Sequence, residues 1–322
     1  MPKVSVIVPI YNVEKYIERC LRSLFEQTLD DIEYIFVNDC TLDNSMIILE
    51  KVLEEYPHRI KQVKIINHEQ NQGQAGARTS GMKAMTGEYM IHCDPDDWVE
   101  LDMYESMYQK AIEDNSDIVV SDFFHEYGES SIIETHYPEN NPQKCIQNYN
   151  IPIWWSLCNR LIKINLISKY TINFVKGVNL WEDACLVIRI YYYAQKVSYI
   201  NNPLYHYWRN NEQSILNQGY TIDKINQAIR CVDYLKNFFD DKQFDITMLY
   251  DNCCLHLRNS LLAITPPQYK KWNKLYRHTL KYVIKNENIP VLYRCCYFLA
   301  HYHFNFPLKC YYFLSKLKVR YA

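Results

Sequence analysis

The chain has 322 residues, 48% of them hydrophobic, and a formal net charge of −2. That is enough apolar surface for one large domain and a smaller one, and it excludes a disordered chain. No run approaches the roughly 18 apolar residues of a membrane-spanning helix, and the twelve cysteines show no paired C-x-x-C spacing of a zinc site.

In chain order, Lys3-Val4-Ser5-Val6-Ile7-Val8-Pro9 reads as a buried strand. Asn12 can cap a following helix, whose apolar positions Ile17, Leu21, Leu24 and Phe25 recur at helical spacing. Glu33-Tyr34-Ile35-Phe36-Val37 is a second strand ending in Asn38-Asp39. Residues 44–56 form an amphipathic helix, and Val63-Lys64-Ile65-Ile66 a third strand. A glycine-rich arm at 71–81 follows, then a short helix, then a strand that runs into Asp94. This alternation predicts an α/β fold with a mainly parallel sheet flanked by helices. Ile118-Val119-Val120 and a short strand near Val197–Ile200 extend it. Residues 139–180 read as irregular, and from about 220 onward the pattern is helical. The predicted domains are 1–215, catalytic, and 216–322, helical, basic and aromatic.

The net charge conceals an asymmetry. After Asp251 the sequence carries twelve Lys and Arg and one acid, Glu287, about +11, against about −13 for the rest. The tail from 291 interleaves aromatics with Arg294, Lys309, Lys316, Lys318 and Arg320. It suits an anionic membrane surface or packing against the rest of its own chain; no nucleic-acid motif accompanies the charge. With no signal-peptide pattern at the start, the expected location is the cytoplasm, or the inner face of the cytoplasmic membrane if the tail binds lipid.

Three carboxylates in Asp94-Pro95-Asp96-Asp97 stand directly after the strand Tyr89-Met90-Ile91-His92-Cys93. Open α/β sheets hold ligands at this edge. Like charges so close need an offset, which a divalent cation carrying a diphosphate supplies; the same run also reads as an acidic turn. Asn38-Asp39 repeats the pattern: a carboxylate that accepts from a base or ribose, or a helix cap. Asn71 through Gly81 holds glycines that allow close backbone approach and Arg78, suited to phosphate oxygens. It matches neither a dinucleotide fingerprint nor a P-loop. Tyr11 could stack on a base or sit in the core. Leu180-Trp181-Glu182-Asp183 supplies adjacent acids, either a proton acceptor or a helix N-terminus.

Together these stretches resemble the family 2 nucleotide-sugar glycosyltransferases with the GT-A fold. The resembling segments are Val8 through Ile17, Ser23 through Thr28, Phe36 through Ser45, Asn71 through Gly81, Gly87-Glu88-Tyr89 and Asp94-Pro95-Asp96-Asp97. Asn159-Arg160-Leu161-Ile162, Glu182-Asp183 and Pro203 through Arg209 are weaker landmarks. The resemblance covers about 1–215. It implies that Pro9, Tyr11 and Asp39 hold base and ribose, that Asn71 and Arg78 lie near the nucleotide and diphosphate, and that Asp94 approaches the ribose. Asp96 would ligate Mn2+ or Mg2+, and Asp183, with Glu182 beside it, would be the catalytic base. Apart from the resemblance, Trp181, His206, Tyr207, Arg209 and Ser214 either close over the diphosphate or acceptor or belong to an ordinary connector to the helical region. Cys40, Leu42 and Thr79 depart from the family's usual residues and bear on loop geometry and donor choice.

The implied activity is inverting transfer of a hexosyl or N-acetylhexosaminyl group from a nucleoside diphosphate, UDP first, to a saccharide or lipid-linked hydroxyl in cell-surface polysaccharide synthesis. A nucleotidyltransferase is the rival enzyme, but Pro9-Ile10-Tyr11-Asn12-Val13-Glu14 is not the basic, glycine-rich loop it would want. An inactive nucleotide-sugar-binding protein is the other rival, and the motif acids are all present.

Overall fold

Seven consecutive buried residues, Val4–Ile10, form β1 at the centre of the first sheet half. The computed structural model describes residues 1–135, 137–147, 155–211, 219–287 and 289–310. The chain divides into two units, Met1–Asn217 and Gln218–Ala322.

In the first unit the elements after β1 are α1 (Ile17–Phe25), β2 (Ile32–Asn38), α2 (Ser45–Glu54), β3 (Val63–Asn67), α3 (Gly73–Ala84) and β4 (Tyr89–His92). Next come β5 (Trp98–Val99), α4 (Met103–Asp114), β6 (Ile118–Glu126), β7 (Ser131–Glu134) and α5 (Pro142–Gln147). The unit closes with β8 (Arg160–Lys163), α6 (Ile164–Tyr170), α7 (Glu182–Tyr193) and β9 (Val197–Trp208). The strand order is β3-β2-β1-β4-β8-β6-β9-β5, with β7 on β6. β3, β2, β1 and β4 are parallel, in keeping with the mostly apolar, buried runs of β1, β2 and β4. β8 enters antiparallel between β4 and β6, so the sheet as a whole is mixed.

Strand periodicity divides the core. Val4, Val6, Val8 and Ile10 pack with Ile17, Leu21 and Leu24 of α1 and Met103 and Met107 of α4. Ile7 points to the other face, where a Cβ at Gly81 would lie 2.4 Å from Ile7 Cγ2. Gly81 therefore lets α3 rest on β1, and this is why a glycine-bearing stretch is helical. The arm expected at 71–81 is the first two and a half turns of α3 itself. Residues 139–180, expected to be irregular, contain α5, β8 and α6. β9 is twelve residues long rather than four. It pairs with β6 over most of its length and takes β5 on its other edge, so tertiary pairing holds polar positions in an extended form that periodicity did not favour.

The second unit contains α8 (Ile222–Asp240), α9 (Thr247–Ala263), α10 (Tyr269–Trp272), α11 (Thr279–Lys285) and α12 (Val291–His301). Its core includes Leu261, Trp272, Val283, Tyr293 and Tyr297. Arg258 is fully buried there, 4.0 Å over the Trp272 ring. It donates to the Trp272 carbonyl at 2.9 Å and the Tyr297 hydroxyl at 2.8 Å. No helix among the described residues is long and apolar enough to cross a membrane.

Candidate active site

The parallel register brings three strand ends to one edge. Ile10 is level with Asn38, and Ile7 with His92. Tyr11, Asp39 and Asp94 therefore follow their strands onto the same side of the sheet. Pro9 is buried within β1, and Tyr11 is 44% exposed.

Asp39 is 2% exposed, and both its oxygens are engaged. Oδ1 accepts from His68 Nδ1 at 2.7 Å and from the Gln72 N–H at 2.8 Å, and Oδ2 from the Gly73 N–H at 2.8 Å. His68 Nε2 is 2.8 Å from Ser80 Oγ. Asn71 Nδ2 donates to the Asp39 carbonyl at 3.3 Å, and Asn179 Oδ1 accepts from the Ala75 N–H at 3.0 Å. The N–H groups of Gln72, Gly73 and Ala75 at the start of α3 are thus spent on the protein's own oxygens. Gly73 is required here, because its φ of +76° lies in the left-handed region and a Cβ would meet Asn179 at 2.6 Å. Cys40 also adopts positive φ, +62°, which accounts for glycine being the residue the family resemblance leads one to expect there.

Arg78, on α3, is 1% exposed. The resemblance puts it near the diphosphate, but its guanidinium faces three carboxylates instead of solvent. Nη2 donates to Asp94 Oδ1 at 2.7 Å, and Nη1 donates to Glu182 Oε1 at 3.1 Å and to Asp183 Oδ1. Its Nε is buried without a hydrogen-bond partner. Glu182 and Asp183 open α7, where the helix dipole favours acids. Trp181 precedes them as N-cap with φ 65°, a strained conformation for a non-glycine residue. Burial raises the Asp183 carboxyl above the usual carboxylate range, against the opposing effects of Arg78 and a Leu157 N–H bond. Burial and the neighbouring Asp183 push Glu182 further, toward its neutral form.

The run after β4 divides its labour. Asp97 is 1% exposed and accepts from the Tyr205 hydroxyl at 2.6 Å and the Trp208 N–H at 2.8 Å. The same hydroxyl accepts from the Asp94 N–H at 3.1 Å. Asp97 therefore fastens β9 to the turn, a role the sequence left open. Asp96 is half-buried and accepts from Asn211 Nδ2 at 2.7 Å, while Arg19 Nη2 donates to its carbonyl at 3.2 Å. Burial and then Asp94 push the Asp96 carboxyl up to about 6.

The expected acceptor loop separates into parts. His206 is stacked between Trp98, at 4.8 Å, and Phe124, at 4.5 Å. Its Nδ1 is 2.7 Å from Glu126 and its Nε2 2.8 Å from Glu100. It is a strut of the β5–β9–β6 sheet, with both ring nitrogens committed. Tyr207 is half-buried, its hydroxyl pushed up by burial, and Arg209 lies 5.0 Å over its ring. Ser214 lies outside the described residues.

His68, Asn179, Tyr205 and Asn211 were not singled out from sequence. Tyr205 stands inside the Pro203–Arg209 landmark without a role of its own and Asn211 just beyond it, and nothing local shows that a tyrosine bridges two acids 108 and 111 positions away. Among the described residues no group of three or more His, Cys, Asp or Glu side chains is disposed around one ion.

The model of glycosyl transferase family 2 matches residues 5–175, more than half of the chain, and the chain belongs to that family. EpsH of Bacillus subtilis strain 168, described as a putative glycosyltransferase, is 33% identical over 214 residues, 64% of this chain and 60% of EpsH. A poly(ribitol-phosphate) beta-glucosyltransferase of Bacillus spizizenii is 28% identical over 208 residues, 64% of this chain and 32% of that protein. The chain thus spans less than two thirds of the length of these curated relatives. Residues 1–349 of S. aureus TarS, crystallised with UDP-GlcNAc, superimpose with a TM-score of 0.70 at 20% identity, covering 97% of this chain and 92% of that one. The fold is GT-A: a mixed, curled sheet flanked by helices and followed by a helical region.

Proposed function

We propose that this chain transfers a hexosyl or N-acetylhexosaminyl group from a nucleoside diphosphate, UDP, to a hydroxyl of a saccharide or lipid-linked saccharide, inverting the anomeric carbon. The observation that carries this reading is the gathering of Asp94, Glu182 and Asp183 on the buried Arg78, with Asp96 two residues further on at the same sheet edge. A fold neighbour was crystallised with UDP-GlcNAc, and a relative is named for transfer to poly(ribitol-phosphate), which supports a UDP donor and a polymeric acceptor. Cell-surface polysaccharide synthesis is the setting this suggests.

In this reading Pro9, Tyr11 and the Asp39–Asn71 corner form the base and ribose side, with Asp94 reaching the ribose. Asp96 would hold Mn2+ or Mg2+. The donor set fits: Asp96 is a carboxylate whose ionised form is disfavoured by burial and by Asp94, which a cation relieves. Such ions are commonly held by one or two carboxylates together with substrate phosphates, so no three-acid cage is needed. When bound, the ion would neutralise charge on the departing diphosphate.

Asp183 would accept the acceptor hydroxyl's proton while that oxygen bonds the anomeric carbon and the carbon–phosphate oxygen bond breaks, its electron pair leaving with the diphosphate. Arg78 is then a positioning residue for Asp183 and Asp94, in place of the phosphate role first expected of it. A raised proton affinity makes Asp183 a stronger base at neutral pH, and a neutral Glu182 would not compete for the proton. Tyr207, Arg209 and Trp181 would border the diphosphate or acceptor.

Thermal-shift screening of nucleotide sugars with Mn2+, followed by transfer or donor-hydrolysis assays on the stabilising donor, tests this. Metal-dependent stabilisation by a UDP-sugar and release of UDP are expected. Stabilisation by nucleoside triphosphates with no response to any nucleotide sugar would overturn it.

A further inference from the structure

We propose that the second unit docks on an anionic phospholipid bilayer, through a cationic groove beside α11 and the outward apolar face of α12. This stands independently of the sugar-transfer reading.

α12 is apolar on both sides. Tyr293, Cys296, Tyr297 and Ala300 are buried in the unit's core. The opposite stripe is apolar too: Val291 is 65% exposed, Leu292 66%, Phe298 43% and Leu299 39%, followed by Tyr302 at 63%. A helix facing only water on its outer side would be polar there. Beyond the helix, Phe304 and Phe306 are also exposed. A contiguous apolar surface of this kind marks a docking site.

α11 packs against α12 and brings positive charge beside it. A groove of about 280 Å³ is lined by Arg277, Lys281, Lys285 and His301, with Leu280 and Ile284. His278 completes the lining and faces Asp251 at 3.4 Å. No lining residue is acidic. Arg277 Nη2 donates to His301 Nε2 at 2.9 Å, so the neutral ring carries its proton on Nδ1, which is buried and has no partner. The groove therefore combines three exposed cations and aliphatic walls. The sequence from 252 onward adds nine further basic residues against one acid.

Charge complementarity selects a phosphate-bearing anion, and the adjacent aliphatic and aromatic stripe selects its source. Nucleic acid or free phosphate would give Val291, Leu292 and Phe298 no reason to face outward. An acyl boundary beneath a layer of anionic headgroups does, with cations at headgroup level and apolar side chains below.

The test is co-sedimentation of the full chain with vesicles of phosphatidylcholine alone and of phosphatidylcholine with phosphatidylglycerol. Pelleting is expected only with the anionic vesicles, and weaker as salt rises. A basic residue at an anionic leaflet contributes about fivefold in binding. Lys281→Glu with Lys285→Glu should therefore weaken pelleting by more than about 25-fold. Leu292→Ser with Phe298→Ser should remove the binding that survives at high salt. All four side chains are exposed, and unchanged circular-dichroism melts verify that both variants fold. Wild-type protein left in the supernatant, equal pelleting on both vesicles, or wild-type pelleting by the lysine variant overturns the proposal. Stabilisation by inorganic phosphate without pelleting also overturns it, as an anion site unrelated to lipid.

Discussion

The guanidinium of Arg78 bonds the carboxylate of Asp183, joining α3 to the first turn of α7 across 105 residues of sequence. Two further acids, Asp94 and Glu182, share that guanidinium. One buried cation thus holds three carboxylates: Glu182 is buried, Asp94 and Asp183 are partly open, and desolvation raises the Glu182 and Asp183 carboxyls above their ordinary values. Removing the cation leaves the acids uncompensated, whereas removing one acid leaves the others still paired.

Arg78→Met should therefore be strongly destabilising at neutral pH, by about 3–5 kcal/mol. The loss should shrink toward pH 5, because protonated acids no longer need the cation. Arg78→Lys should not restore stability, since an ammonium cannot present the guanidinium's fork to three acceptors. Urea unfolding at pH 7.5 and pH 5 measures both; equal losses at the two pH values would contradict the role.

Asp183→Asn should lower kcat by about 10²–10⁴-fold. The nucleotide's Kd, measured by calorimetry, should stay within twofold or so, because the base acts only on the acceptor. Near-normal turnover would sink the assignment.

Asp96→Asn should abolish the part of UDP affinity that depends on Mn2+ while leaving metal-free affinity in place. Calorimetric titrations with and without the ion separate the two. An unchanged metal dependence would move the ligand role elsewhere.

His92 is fully buried, with neither ring nitrogen hydrogen-bonded, and burial, reinforced by Arg78, holds its pKa well below the ordinary 6.5. The unfolded chain takes up a proton near pH 6.5 that the folded chain refuses. His92 therefore adds no pH-dependent cost above that pH, and stability falls as the pH drops below it, by at most about 1.4 kcal/mol per unit. His92→Leu should remove one proton's worth of slope between pH 6.5 and 4.5, read from unfolding midpoints. Parallel pH profiles for the two proteins would exclude this role.

Tyr205→Phe removes the hydroxyl that donates to Asp97 and accepts from the Asp94 N–H. The expected cost is about 1–3 kcal/mol, because a buried carboxylate loses a donor. The variant should also bind metal and nucleotide less tightly, through the loosened turn. A variant with wild-type unfolding and wild-type affinity would make the bridge incidental.

Much of this was legible from local pattern. β1, β2 and β4 are mostly apolar runs with almost every residue buried, as strands of a sheet covered on both faces are. Parallel strands end on one edge, so acids written after each run had to meet. What stayed hidden has a common cause. α3 carries glycines that weigh against a helix, yet Gly81 is what lets it lie on Ile7. β8 is four residues long and pairs only through neighbours distant in sequence. Asp39 reads as ligand or cap in the sequence, and nothing local shows that His68, Gln72 and Gly73 engage both its oxygens.

By itself, the sequence determined that a family 2 chain would present acids at one sheet edge, because strand direction and residue order suffice for that. Only the tertiary structure decided what each charge touches. Arg78 reads as a phosphate-binding or surface cation and is the buried partner of three acids, and Asp97, whose role the sequence leaves open, ties β9 to the turn. The reason is physical. A charge's role depends on burial and on partners within a few ångströms, and here those partners lie as much as 111 residues away.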